Sequence, residues 1–175
     1  MALKQVIEIY ELLDSPKANG ERIASVLKQR GIHDVEVVPI QGEKGKTDSI
    51  KVWIRGSKGK KSGGNAPTLG VIGRLGGVGA RPQMIGLVSD ADGAIASLSI
   101  ALKLADMKEQ GDVLSGDVIV ATHVCPDAPT TPHDPVPFMG SPVEMKSLND
   151  HEVDPQMDAI LSIDTTKGNR IINQR

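Results

Sequence analysis

Four polar clusters follow short apolar runs in this 175-residue chain, and their residue types could do chemistry. Ser89-Asp90-Ala91-Asp92-Gly93 opens the longest helical pattern. Thr122-His123-Val124-Cys125-Pro126-Asp127 closes the run DVIVAT. Asp164 follows AILSI, and Gly73-Arg74 through Gly79-Ala80-Arg81 follows the run after Pro67. Carboxylates are hard oxygen donors that suit a divalent cation. Asp92 reads equally as a helix cap, so Asp90, just outside the cap, is the better ligand candidate.

His123 reads as a hydrogen-bonded structural residue or as a ligand. Its loop also holds Cys125 and Asp127, with His133 following, a mixture of N, S and O donors that matches no standard zinc-finger spacing. Cys125 is a small buried hydrophobe or a nucleophile with a histidine base. Asp164 reads as an Asx-turn or a ligand. Arg74 and Arg81, set among glycines, could grip a carboxylate or phosphate with a forked contact, or pair with nearby aspartates. The glycine-rich basic stretch 56–65 fails as a phosphate loop, because Lys61-Ser62 precedes Gly63-Gly64 and Pro67 follows where a helix should begin. It reads as a mobile connection between strands.

The elements that must position these groups follow from periodicity. Leu3, Val6, Ile7, Tyr10 and Leu13 predict a helix over 2–14, and Ile23, Val26 and Leu27 a second one stopped by Gly31. A third spans Asp92 to Gln110. Val35–Ile40 is a short β-branched run, and Ile50, Val52 and Ile54 alternate with polar partners as a strand with one buried face. The continuous apolar runs 68–72, 84–88, 117–122 and 159–163 suit strands covered on both sides, as in parallel sheets. The expected fold is α/β: three layers, a mostly parallel sheet and helices on both faces. The proline-rich stretch 125–142 then forms a stiff loop at a strand end, where open α/β sheets bind ligands.

Composition narrows the function classes. Twenty Lys and Arg against 22 Asp and Glu give a net charge of −2, and Tyr10, Trp53 and Phe138 are the only aromatics. Neither a positive field nor a stacking platform is available, so nucleic acid is not an expected partner. A single cysteine excludes an intramolecular disulfide, and no apolar run spans a membrane. The expected setting is the cytoplasm, with a small-molecule or peptide substrate and homo-oligomer formation left open. One domain over 1–175 is expected.

The segments LKQVIEIYELLDSP, APTLGVIGRLGGVGARP, IGLVSDADGAIA, GDVIVATHVCPDAPT, PVPFMGSPV and HEVDPQMDAILSIDTTKGNRIIN resemble a family of uncharacterised bacterial proteins, domain of unknown function number 1177. The resemblance covers almost the whole chain and implies that these residues are the N-terminal part of a longer domain. More distantly, the order of elements resembles zinc-dependent aminopeptidases and related exopeptidases. SDADGAIASLSIALKLADM is similar to their aspartate-plus-helix element and places Asp90 at the metal-bridging carboxylate; AILSIDTT places Asp164 at a further ligand. The chain departs where His-x-Asp is expected (Arg74-Leu75-Gly76) and where a Glu pair is expected (Cys125-Pro126).

That resemblance implies a zinc-exopeptidase-like fold and a metal-dependent hydrolase of peptide or amide bonds. Asp90, His123 and Asp164 would hold a divalent metal such as Zn, Asp127 would be the general base, and Arg74 and Arg81 would bind substrate. The alternative is a non-catalytic binder of a small anionic metabolite on a degenerate exopeptidase fold.

Overall fold

A computed structural model describes residues 2–74, 76–79, 86–87, 91–132, 134 and 138–164. Helix α1 (Leu3–Asp14) stops where Ser15 turns extended ahead of Pro16, which disfavours helical backbone in the preceding residue. Helix α2 (Gly20–Gln29) starts at Asn19, whose side chain accepts the Arg22 N–H at 2.8 Å. It ends at Gly31, whose φ of +78° lets Ile32 N–H reach back to the Leu27 carbonyl. Strand β1 (Val35–Gly42) turns through Glu43-Lys44 into β2 (Gly45–Ile54). Then come β3 (Leu69–Gly73), α3 (Asp92–Glu109), β4 (Val118–Val124), the short pair β5 (Thr130–Thr131) and β6 (Phe138–Met139), α4 (Met145–Glu152) and β7 (Ala159–Ile163).

The main sheet has the order β1-β2-β4-β3-β7. β4, β3 and β7 run parallel, whereas β1–β2 and β2–β4 are antiparallel and form the longer ladders. The expected mostly parallel sheet is therefore corrected to a mixed one. The reason is local: a two-residue link can only close a hairpin, because a parallel return needs a crossover of a dozen or more residues. α3 supplies such a crossover between β3 and β4.

Alternation along the strands builds two faces. Ile50, Val52 and Ile54 of β2, Val71 of β3 and Val120 and Val124 of β4 pack against Ile9, Leu13, Ile23, Leu27, Leu98 and Leu102 of α1, α2 and α3. The opposite parity of β4 carries His123, and on that side lies α4. All seven residues of β4 are buried, which accounts for its continuous apolar run. The run at 84–88 falls mostly outside the described residues; Gly86 and Leu87 are not in a strand.

The basic stretch 56–65 is ordered around one buried carboxylate. Asp117 accepts the N–H groups of Gly56 at 2.8 Å and Lys61 at 2.9 Å, and a 3-10 turn forms at Lys60–Ser62. A Cβ at Gly59 would overlap the same carboxylate. This replaces the mobile connection expected from composition.

Candidate functional site

The site grows from the carboxyl ends of β3 and β4. Gly73 pairs with Thr122, whose hydroxyl donates to the Gly73 carbonyl at 2.9 Å. One residue on, Arg74 and His123 leave the rim together. The chain after Arg74 continues beside β4: Cys125 N–H donates to the Gly76 carbonyl at 2.8 Å and Val78 N–H to the Cys125 carbonyl at 3.1 Å. This approach is so close that a Cβ at Gly76 would overlap the His123 carbonyl oxygen. Its glycine thus serves backbone packing.

Glu152, the last residue of α4, comes from the other layer and is 0% exposed. Its Oε1 lies 2.9 Å from His123 Nδ1, and its Oε2 accepts from Arg74 Nη1 at 2.8 Å. Asn149, three residues earlier on the same helical face, accepts from Arg74 Nη1 at 2.5 Å. His123 is 8% exposed. A fully buried carboxylate needs partners of this kind, and the guanidinium supplies the compensating charge. An ionised carboxylate only accepts, so Nδ1 carries the hydrogen; in the neutral ring Nε2 then presents a lone pair.

His123 and Arg74 line a cavity of about 140 Å³ together with Gly76, Cys125, Met139 and Met145. Ala128 and Leu148 add to its apolar lining. The arrangement can present one oriented imidazole nitrogen to a small ligand, beside a guanidinium already committed to Glu152.

The structure brings together only part of the expected site. Arg74 and His123 share the cavity. Asp164 is exposed at the end of β7, whose Ile163 carbonyl accepts the Arg74 N–H at 2.9 Å, so it stands at the same rim one strand over. Asp127 is exposed and lines a different depression with Lys17, Lys46 and Asp48. Arg81, Asp90 and His133 lie outside the described residues. Cys125 is buried, its thiol near the Lys46 carbonyl, and burial, with repulsion from Asp127 and Asp48, pushes its pKa up to about 11. A thiol in that state is a packing residue, so the nucleophile reading is dropped.

Among the described residues, no three His, Cys, Asp or Glu side chains form a group able to hold a metal ion. The donor chemistry fits at one position: an imidazole backed by a carboxylate is how metal-binding histidines are held. Glu152 and Asn149 were not legible as site residues in the sequence, because the polar segment MKSLNDHE shows no apolar stripe. The available signal was Val153-Asp154-Pro155, a helix stop just after Glu152.

The fold and this rim define a mixed-sheet α/β protein with a buried Glu–His–Arg cluster at the ends of its parallel strands. The chain belongs to the family described as Protein of unknown function (DUF1177), which matches residues 38–175. No curated protein matches it. Among solved structures it is similar in fold to a mutant of tomato leucine aminopeptidase, with a TM-score of 0.50 and 14% identity. The match covers 74% of this chain and 28% of that one, so this chain spans under a third of that protein's length. Among the described residues no helix is long and apolar enough to cross a membrane.

Proposed function

We propose that this chain carries the catalytic rim of a metal-dependent hydrolase of peptide or related amide bonds, on a zinc-exopeptidase-like fold. The observation that carries the reading is the buried Glu152 carboxylate on His123 Nδ1 at 2.9 Å. That contact fixes the tautomer and the orientation of the ring, as carboxylates do for metal-binding histidines. The likeness in fold to a leucine aminopeptidase supports the same class.

His123, Asp90 and Asp164 would hold the metal, with Zn the first candidate. When bound, such an ion supplies an activated water and polarises the scissile carbonyl. The chain's own residues do the rest. Glu152 holds the imidazole against rotation, and Arg74 balances the buried charge. The wall of Met139, Met145 and Leu148 receives an apolar substrate side chain and sheds water from it. Arg74 can share one oxygen of a substrate carboxylate only alongside Glu152 and Asn149.

The test is metal retention after equilibrium dialysis of the full chain against Zn²⁺ or Mn²⁺. About one or two ions per chain are expected, as in other catalytic sites, with loss in His123→Ala and Asp164→Ala. No retention by the unaltered chain, or equal retention by His123→Ala, overturns the reading. A second reading is a non-catalytic binder of a small anionic metabolite. It is favoured by the lack of a three-donor group among the described residues. Thermal stabilisation by a metabolite that ignores chelator would select it.

A further inference from the structure

Helix α1 has two apolar faces, and only one is used. Ile9, Leu12 and Leu13 point into the core. Leu3, Val6, Ile7 and Tyr10 are 62, 36, 50 and 49% exposed. Their spacing of three, four and seven residues sets all four on one stripe across two helical turns. Single exposed apolar residues are ordinary, but a contiguous stripe marks an interaction surface. The helix presenting it is firmly seated. Gln5 Nε2 donates to Asp106 of α3, and Arg30 bridges Glu8 and Asp106. The stripe is thus preformed, which lowers the ordering cost of binding.

We propose that the stripe is a self-association surface on which α1 of a second copy packs antiparallel, about a twofold axis near Ile7. The charges beside it select this occupant. Lys4 and Glu11 are seven residues apart, so both lie along the same flank of the stripe, and both are exposed. A twofold near Ile7 sets Leu3 beside the other copy's Tyr10, Val6 and Ile7 across the axis from their own counterparts, and Lys4 beside the other copy's Glu11. The same pair forms twice, as a self-complementary interface requires. In a parallel arrangement this flank would face the opposite flank of the other copy, and Lys4 and Glu11 would not meet. The ion pairs are at the rim, so they fix orientation, and the buried stripe supplies affinity. Two turns from each copy make a small interface, so association depends on concentration.

Sedimentation velocity of the full chain, from low micromolar to several hundred micromolar, tests this. A reversible shift from monomer to dimer is expected. Ile7→Glu places a charge in the seam at a position half exposed in the monomer, so it should remain monomeric with an unchanged circular dichroism spectrum. Lys4→Glu should weaken association at low salt, and the swap Lys4→Glu with Glu11→Lys should restore it. A chain that stays monomeric throughout, or an Ile7→Glu variant that dimerises as the unaltered chain does, overturns the proposal. Lys4→Glu and the swap behaving alike overturns the antiparallel register.

Discussion

Glu152, at the end of α4, sets Oε1 2.9 Å from Nδ1 of His123, a residue 29 positions earlier near the end of β4. The contact ties the helix on one face of the sheet to the rim where β3 and β4 end. It also fixes the orientation of the imidazole that lines the cavity. Because the same carboxylate accepts from Arg74, three residues from three elements form one unit.

Breaking that unit should cost stability as well as function. Glu152→Gln removes the charge partner of Arg74, whose side chain is largely buried, and leaves an amide where a carboxylate accepted twice. Removing one member of a buried pair costs about 3 kcal/mol or more. Urea unfolding measures it, and a loss below about 1 kcal/mol, the scale of an ordinary surface change, contradicts the cluster.

The thiol of Cys125 should be unreactive in the folded chain. With its pKa pushed up to about 11, about one molecule in 1,000 carries the thiolate at pH 8. Alkylation by iodoacetamide should therefore be far slower than for a free thiol and should accelerate sharply in urea. Equal rates in folded and unfolded chain would show that the thiol is open.

Asp117 organises the stretch from Gly56 to Ala66. Asp117→Ala strands the buried N–H of Gly56, which costs about 1–3 kcal/mol, and releases the N–H of the exposed Lys61. The expected result is a less stable chain whose first proteolytic cuts fall at Lys58, Lys60 or Lys61. Gly59→Ala, which overlaps the same carboxylate, should act alike. An unchanged digestion pattern in both contradicts this role.

Asp106 gives a pH dependence of known sign. Burial works to raise its pKa, but hydrogen bonds from Gln5 and Arg30 outweigh it and hold the group below the ordinary 3.8. A lowered folded value means that its stabilising share is present above 3.8 and fades as pH falls through the folded value. The unaltered chain should thus exceed Asp106→Asn in stability near neutrality, and the gap should close in acid. Urea unfolding across that range checks it; a gap that widens below pH 3.8 is the contrary result.

The elements that carry their own periodicity were legible in the sequence. The helix α1, the Gly31 stop of α2, the long α3 and the alternation of β2 all appear. The residues that signalled α1 nonetheless misplace its core face: Leu3, Val6, Ile7 and Tyr10 are exposed, and Ile9, Leu12 and Leu13 are buried. Pairing was less legible, since β4 reads as the interior of a parallel sheet whichever way its neighbour β2 runs. Only the short Glu43-Lys44 link shows that β1 and β2 must be antiparallel. Arg74 and His123 could be picked out as polar residues at the ends of apolar runs. Glu152 could not, because a glutamate closing a polar helix ordinarily faces water, and only the fold buries it against Arg74 and His123.

Cleavage of aminoacyl p-nitroanilides by the full chain in the presence of Zn²⁺ or Mn²⁺ tests the role of the Glu152-held imidazole most directly. The expected result is turnover with apolar aminoacyl groups, abolished by chelator and lowered by about 100-fold or more in His123→Ala, the scale of losing a group that positions the reacting centre. Turnover that survives His123→Ala unchanged, or no turnover by the unaltered chain with either ion bound, is the contradicting result.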